Sequence, residues 1–585
     1  MYLRETRRRN RDGSEVAYLA LAHNQRDPAT GMPAARIVHN FGRADQVDRA
    51  GLARLVKSIS RFLDPAEAVA AAASGEVSIL DARPMGTAWV ADRLWARLGI
   101  AGAISAAASG RRLDPAVVER VIFAMVANRL SPTPLSKLAG CDWVARRAFI
   151  DGLAEVDEDT CYRAMDFFLA ALPQLQEAVF FSVANLLNLE VDLLFFDTTS
   201  TYWERDSADA ALLDDEDEDE DEGGGKKEGE KGEGEGGDGK APPPASGFRT
   251  YGHSKDHRPD LPQVVIGMAV TREGIPVRVW TFPGNASDQV LIREVKDDLR
   301  HWNLNRVIWV LDRGFTSAEN RRYLQRAGGH YIVGEKLRGD SAEAAAALGR
   351  QGRYHQVGDK LRVKEVRVDD GTARDRFVIC HNPEAARRDA EVRAQIVARL
   401  EERIAGSDAL GAKKRTELAA KLATKAAFAR FLRTTPKGKL RVDRAAVARE
   451  AHLDGKFLLR TSDESLTATD IALGYKALYE AERGWRDMKS TIDLRPVYHR
   501  KADRIRAHVQ LCWLALLMLR VAETSVGDTW RNIRDELERL QLVTLATASG
   551  QVAQRSELTP GHKSILRALN LPEPPRFFDF TPAGE

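Results

Sequence analysis

Val191-Asp192-Leu193-Leu194-Phe195-Phe196-Asp197 is a short apolar run that closes on a carboxylate. Such a run, rich in aromatic and branched residues, reads as a buried strand. Val307-Ile308-Trp309-Val310-Leu311-Asp312 repeats the pattern. Between the two, Gln263 to Val270 and Ile275 to Phe282 flank a turn at Arg272-Glu273-Gly274 and read as a hairpin. A helix from about Ser287 to Trp302 precedes the Asp312 run. Asn320 to Ala327 reads as helix and His330 to Gly334 as a further strand. The order strand, strand, strand, helix, strand, helix, strand predicts a mixed α/β sheet. Strand ends converge at one edge of such a sheet, so two strand-end aspartates distant in sequence can meet.

Working outward, the length of 585 residues predicts three or four domains. Residues 1–80 read as a small α+β region. Val16 to Ala22 and Ala35 to Phe41 are its strands, and Leu52 to Phe62 has helical spacing. Residues 81–188 are mostly helical. Within them Val117 to Ala127, Pro132-Thr133-Pro134 and Leu135 to Gly140 fit either a DNA-binding unit or an ordinary bundle, and pattern alone favours the bundle. Residues 189–334 hold the first part of the sheet. Residues 335–465 read as an α+β insertion, with strands at Lys360 to Val368, Arg376 to Cys380 and Lys456 to Thr461 around a charged helical stretch. Residues 466–545 return to helix, and 546–585 read as a tail.

Hydrophobic residues make up 44% of the chain, ample for a large core. The four cysteines, Cys141, Cys161, Cys380 and Cys512, form no CxxC pair, which argues against zinc and disulfides. The N-terminus lacks a signal-peptide core, and the apolar run Val509 to Leu519 is too short for a bilayer. A cytoplasmic, nucleoid-associated protein is expected, with no membrane partner. The net charge of +2 hides an asymmetry: residues 206–240 carry 16 acidic and 4 basic side chains, a local −12, so the remainder carries +14. A basic body suits a phosphate backbone. The acidic segment 206–246, ending in Pro242-Pro243-Pro244, has too few apolar residues to fold and reads as a disordered loop.

A third carboxylate stands out. Tyr475, Leu478, Glu482 and Lys489 are spaced three, four and seven apart, so a continuous helix puts all four on one face. Two strand-end aspartates and a helix-borne glutamate can cage divalent cations. Magnesium prefers carboxylate oxygen, and two ions about 4 Å apart serve phosphodiester cleavage. Taken singly, each carboxylate is more often a cap or a surface charge. Around them, Tyr251-Gly252-His253-Ser254-Lys255-Asp256-His257-Arg258 is dense in phosphate-binding groups. His253 and His257, with no cysteine or third histidine nearby, read as structural or phosphate contacts. Trp485 either stacks a base or packs in the core, the core being commoner. Arg483 and Arg486 read as solvated or backbone-contacting charges.

These blocks together resemble the DDE transposases of bacterial insertion sequences, in the branch with a Tyr-Arg-Glu-Lys signature. That signature maps onto Tyr475, Leu478, Glu482 and Lys489, with leucine where the family has arginine. The other matches are Phe195 to Thr199, Tyr251 to Asp256, Pro283-Gly284-Asn285 and Asp312-Arg313-Gly314-Phe315. The resemblance implies a ribonuclease-H-like core broken by the insertion at 335–465, and an N-terminal part that binds terminal inverted repeats. It implies two Mg2+ ions, with Mn2+ able to substitute, on Asp197, Asp312 and Glu482. DNA contacts are expected from Tyr475, Lys489, Arg486, Lys255, His253, Arg313 and Trp485. The expected reaction is cleavage at the repeats and strand transfer of the 3′ hydroxyl, by a homodimer assembled on DNA ends. A retired DNA-binding regulator and a ribonuclease-H-like nuclease without strand transfer are the alternatives.

Overall fold

The computed structural model describes the chain except residues 1, 11–14, 27–31, 50, 53–76, 190, 206, 210–246, 303, 305–306, 339–340, 370–373, 496, 548–549 and 583–585. All but the first residue of the helical reading from Leu52 to Phe62, and nearly all of the acidic segment 206–246, lie outside the described residues. The chain forms two compact units. One comprises residues 1–82, 542–556 and 575–585, and the other residues 83–541 and 557–574.

The smaller unit contains a three-stranded antiparallel meander, Tyr2–Arg9, Glu15–Arg26 and Pro33–Arg43. A four-stranded sheet runs in the order Phe577–Pro582, Gly550–Arg555, Gln541–Thr547, Ser78–Pro84. The stretch 546–585, read from sequence as a tail, thus supplies strands and the helix Pro560–Ala568. That helix carries a legible start signal: Thr559 caps it, Pro560 sits in its first turn, and Thr559 and His562 close a capping box.

The larger unit is built on a nine-stranded sheet. Its strands are β1 (Leu193–Tyr202), β2 (Gln263–Val270), β3 (Pro276–Pro283), β4 (Ile308–Leu311), β5 (His330–Glu335), β6 (His355–Val357), β7 (Leu361–Asp369), β8 (Arg374–His381) and β9 (Lys456–Thr461). The order is β6-β7-β8-β9-β5-β4-β1-β2-β3. β1, β4 and β5 run parallel, while β2 and β3 continue antiparallel from β1, the ribonuclease-H-like arrangement of a mixed sheet. The insertion departs from expectation in one respect. Its strands β7, β8 and β9 do not form a separate layer; β9 pairs antiparallel with β5, so they lengthen the main sheet. Only the excursion from Pro383 to Ala451 stands apart, with its own small core of Val397, Leu400, Leu422 and Phe431.

Helices cover the sheet as their patterns dictate. Asp288–Leu299 turns Leu291, Ile292, Val295 and Leu299 inward, against a cluster that includes Phe196, Trp280, Trp302 and Trp309. The helix Ala502–Val526 is buried continuously from Ala507 to Ala522. It and Glu158–Leu187 have the length and hydropathy to cross a membrane. In Ala502–Val526, however, buried polar side chains find partners within the fold. Gln510 donates to the Val279 carbonyl at 2.9 Å and accepts from Gln176 at 2.8 Å. Arg520 pairs with Asp487 and Glu523, each at 2.7 Å. An all-round apolar helix with internal partners is a core helix.

Candidate active site

The parallel register of β1 and β4 decides where the first two carboxylates lie. Its last pair is Phe196 with Leu311, so Asp197 and Asp312 are next-door neighbours as the two strands separate. Asp312 does end its strand and opens a short turn of 3-10 helix, Arg313–Phe315. Asp197 does not: β1 continues to Tyr202, paired with β2 throughout. The carboxylate therefore sits in mid-strand, at the point where one neighbouring strand stops.

Glu482 is exposed, in the first turn of the helix Tyr479–Ser490. That helix is pinned to the core by Arg483 to Glu523 at 2.6 Å and Asp487 to Arg520 at 2.7 Å. Gly484 lets it approach the sheet; a Cβ there meets the Met268 methyl at 2.5 Å. The single continuous helix expected from Tyr475 to Lys489 is broken. One helix, Ala468–Lys476, ends at Ala477, and Leu478 starts the next. The four signature positions consequently do not share one helical face.

Asp197, Asp312 and Glu482 nevertheless line a single cleft of about 390 Å³, with Arg313, Tyr475 and Lys476. Tyr475 donates its phenol proton to Asp312 Oδ1 at 3.2 Å and packs on Phe457, ring centroids 6.2 Å apart. Burial and the Asp312 charge push the phenol's pKa up, so it remains a donor. This contact depends on Gly334, where a Cβ would fall 2.2 Å from the phenol oxygen.

Desolvation pushes the Asp197 carboxyl up to about 6; Lys255 opposes the shift, while Asp312 and Asp288 add to it. Asp288 is a further carboxylate, in the first turn of the helix that the sequence starts at about Ser287. It accepts from Thr198 Oγ1 at 2.6 Å and pairs with Lys255 Nζ at 3.2 Å. Lys255 also donates to the Thr198 carbonyl at 2.9 Å. The surplus of negative charge around Asp197, made only of hard oxygen donors, has the chemistry a divalent cation requires. Among the described residues, no three His, Cys, Asp or Glu side chains stand close enough to form a finished metal cage.

The remaining sequence candidates scatter. Lys489 pairs with Asp256 at 2.9 Å, beside Arg495 at 3.1 Å, and does not line the cleft. Arg486 is exposed and donates to the Tyr479 phenol at 3.2 Å. His253 is exposed. Trp485 is 5% exposed and belongs to the core, leaving no free ring face for a base.

With this geometry in place, two family models match the chain. The N-terminal domain of the IS1634 family of transposases matches residues 3–71. The transposase DDE domain matches residues 232–518. The chain belongs to the DDE transposases of insertion sequences. The DDE match contains Asp312 and Glu482 and begins after Asp197. Among solved structures, the transposase is similar to the piggyBac transposase synaptic complex with hairpin DNA. The TM-score is 0.32 at 10% identity, over 77% of this chain and 78% of that one. No curated protein matches the transposase. As a DDE transposase it acts on DNA and depends on divalent metal.

Proposed function

We propose that Asp197, Asp312 and Glu482 are the acidic triad of this transposase. In this reading they hold two Mg2+ ions, replaceable by Mn2+, and the enzyme cuts DNA at terminal inverted repeats and transfers the 3′ hydroxyl to target DNA. The observation that carries the reading is the meeting of all three carboxylates in one cleft, from two parallel strands and a separate helix. Metal bound there supplies an activated nucleophile and stabilises the leaving oxygen. The protein's own groups do the rest. Tyr475 fixes the orientation of Asp312. Lys255 balances the charge of Asp197 and Asp288. Arg313 and Lys476 line the cleft wall where the cut strand's phosphates would lie. Lys489, Arg486 and His253 belong, in the same reading, to the DNA track outside the cleft.

The acting form is a homodimer on paired DNA ends, in the cytoplasm at the nucleoid. The test uses DNA that flanks the coding region, searched first for paired inverted repeats. Wild-type protein should nick such ends in Mg2+ or Mn2+, and Asp197→Ala should not. Equal behaviour of the two sinks the triad. Pre-cleaved ends with a target plasmid should yield joined product; a plain nuclease of the same fold yields none. The open spacing of the three carboxylates favours one other reading, a retired DNA-binding form, and wild-type nicking excludes it.

A further inference from the structure

A second cavity in the larger unit has the opposite electrical character. It holds about 490 Å³ and lies between the end of the helix Pro115–Leu130, the start of the helix Lys137–Arg146 and the loop carrying His499. That volume falls in the range of about 300–1,000 Å³ typical of ligand sites. Arg129, Lys137 and His508 line it, and all three are more than nine-tenths buried.

The hydrogen-bond inventory leaves donors over. His508 Nε2 faces the Leu494 carbonyl at 3.2 Å, so that nitrogen carries the ring proton. Its Nδ1 then accepts from Lys137 Nζ at 3.2 Å. An ammonium has three donors, and this uses one. Arg129 donates through its terminal nitrogens to the carbonyls of Asp493 and Leu135 and to Asn128, while its buried Nε has no partner among the described residues.

The carboxylates on the cavity wall compensate only in part: the Asp493 charge acts on Arg129 without a direct ion pair. Glu158 accepts from the Tyr162 phenol at 2.6 Å, and Asp493 meets Arg129 through its backbone oxygen. Among the described residues no ion pair joins either carboxylate to Lys137 or Arg129. Burial holds the Lys137 amine down to about 7, with Arg129 adding to the shift and Cys512 and Cys161 opposing it. Burial likewise keeps His499 and His508 uncharged at neutral pH. The wall also contains the N-terminus of the helix Lys137–Arg146, capped by Ser136, whose side chain accepts from Ala139 N at 3.2 Å. That leaves first-turn N–H groups facing outward, a favourable setting for an anion.

We propose that this cavity binds a phosphate group of a DNA strand, held by Lys137, Arg129 and the helix N-terminus. The 71% exposed Tyr498 offers a flat face beside it for the attached sugar and base. The site is separate from the acidic cleft and stands whether or not the triad reading holds.

The test has three arms. Inorganic phosphate should raise the melting temperature of the wild-type chain above that in chloride of equal ionic strength, and should not do so for Lys137→Met. With duplex DNA, the slope of log affinity against log salt should fall by about one in Lys137→Met, and Lys137→Arg should restore it. A lost phosphate response with an unchanged DNA slope keeps the anion site but overturns its assignment to DNA, leaving a free phosphate or nucleotide. Should Lys137→Met fail to fold, wild-type crystals soaked in selenate decide, with an anomalous peak expected between Lys137 and Arg129. No peak there, or an equal phosphate response in wild type and Lys137→Met, overturns the proposal.

Discussion

The acidic cleft and the basic cavity of the larger unit are mirror images in charge. In the cleft, Asp197 lies among Asp312 and Asp288 with Lys255 against them, and its carboxyl is pushed up to about 6. In the cavity, Lys137 lies beside Arg129 with no carboxylate paired to it among the described residues, and its amine is held down to about 7. Each region keeps like charges together at a cost to the free fold, and each cost is relieved by a ligand of the opposite sign. A transposase needs one of each: cations for the chemistry and phosphates for its grip on the strand. The difference lies in preparation. The basic cavity has its charged donors buried in the fold, whereas the cleft has its third carboxylate exposed.

The largest expected effect breaks the cleft. Removing partners of metal ligands typically costs about 10–100-fold, so Asp312→Ala, which removes a proposed ligand itself, should reduce nicking by more than about 100-fold. A quantitative end-nicking assay measures this. Next is Gly334→Ala. The new methyl collides with the Tyr475 phenol, and overpacking of this kind costs roughly 1–3 kcal/mol. Denaturant unfolding should show that loss, together with slower nicking. Tyr475→Phe removes only one hydrogen bond to Asp312. At about 1 kcal/mol it should lower the nicking rate several-fold and leave the fold intact.

The subtlest pair compares the two regions directly by pH. Asp197 has a folded pKa above its ordinary 3.8, so its contribution favours the fold at low pH and is lost as pH rises through about 6. Without divalent metal, Asp197→Asn should therefore melt higher than wild type at pH 8, with the gain vanishing below about pH 4. Lys137 has a folded pKa below its ordinary 10.5, so it weakens the fold increasingly as pH falls toward about 7. Lys137→Met should melt higher than wild type at pH 6, with the gain shrinking toward pH 10. Melting curves across pH check both signs, and a shared direction breaks the mirror relation.

Much of this was legible in the sequence, and the rest fails for identifiable reasons. The apolar runs ending at Asp197 and Asp312 located two central strands because buried parallel strands are continuous in hydrophobicity. The hairpin β2–β3 and the strand Lys456–Thr461 were legible from local pattern and turn residues. Where β9 pairs was not. Its partners β5 and β8 both precede the long helical excursion that separates them from it in sequence, and strand order is a tertiary property. The break at Ala477 and Leu478 was hidden because both residues are good helix formers. Asp288 was hidden for a related reason. At a helix start it looks like an ordinary first-turn acid, and only the fold turns it toward Thr198 and Lys255.

The central claim is that the crowded carboxylates of the cleft are a cation site. Titration of the wild-type chain with Mn2+, followed by electron paramagnetic resonance of the free ion, tests it most directly. Wild type should remove the free-ion signal, and the double variant Asp197→Ala, Asp312→Ala should leave it unchanged. Equal Mn2+ uptake by the two proteins would contradict it.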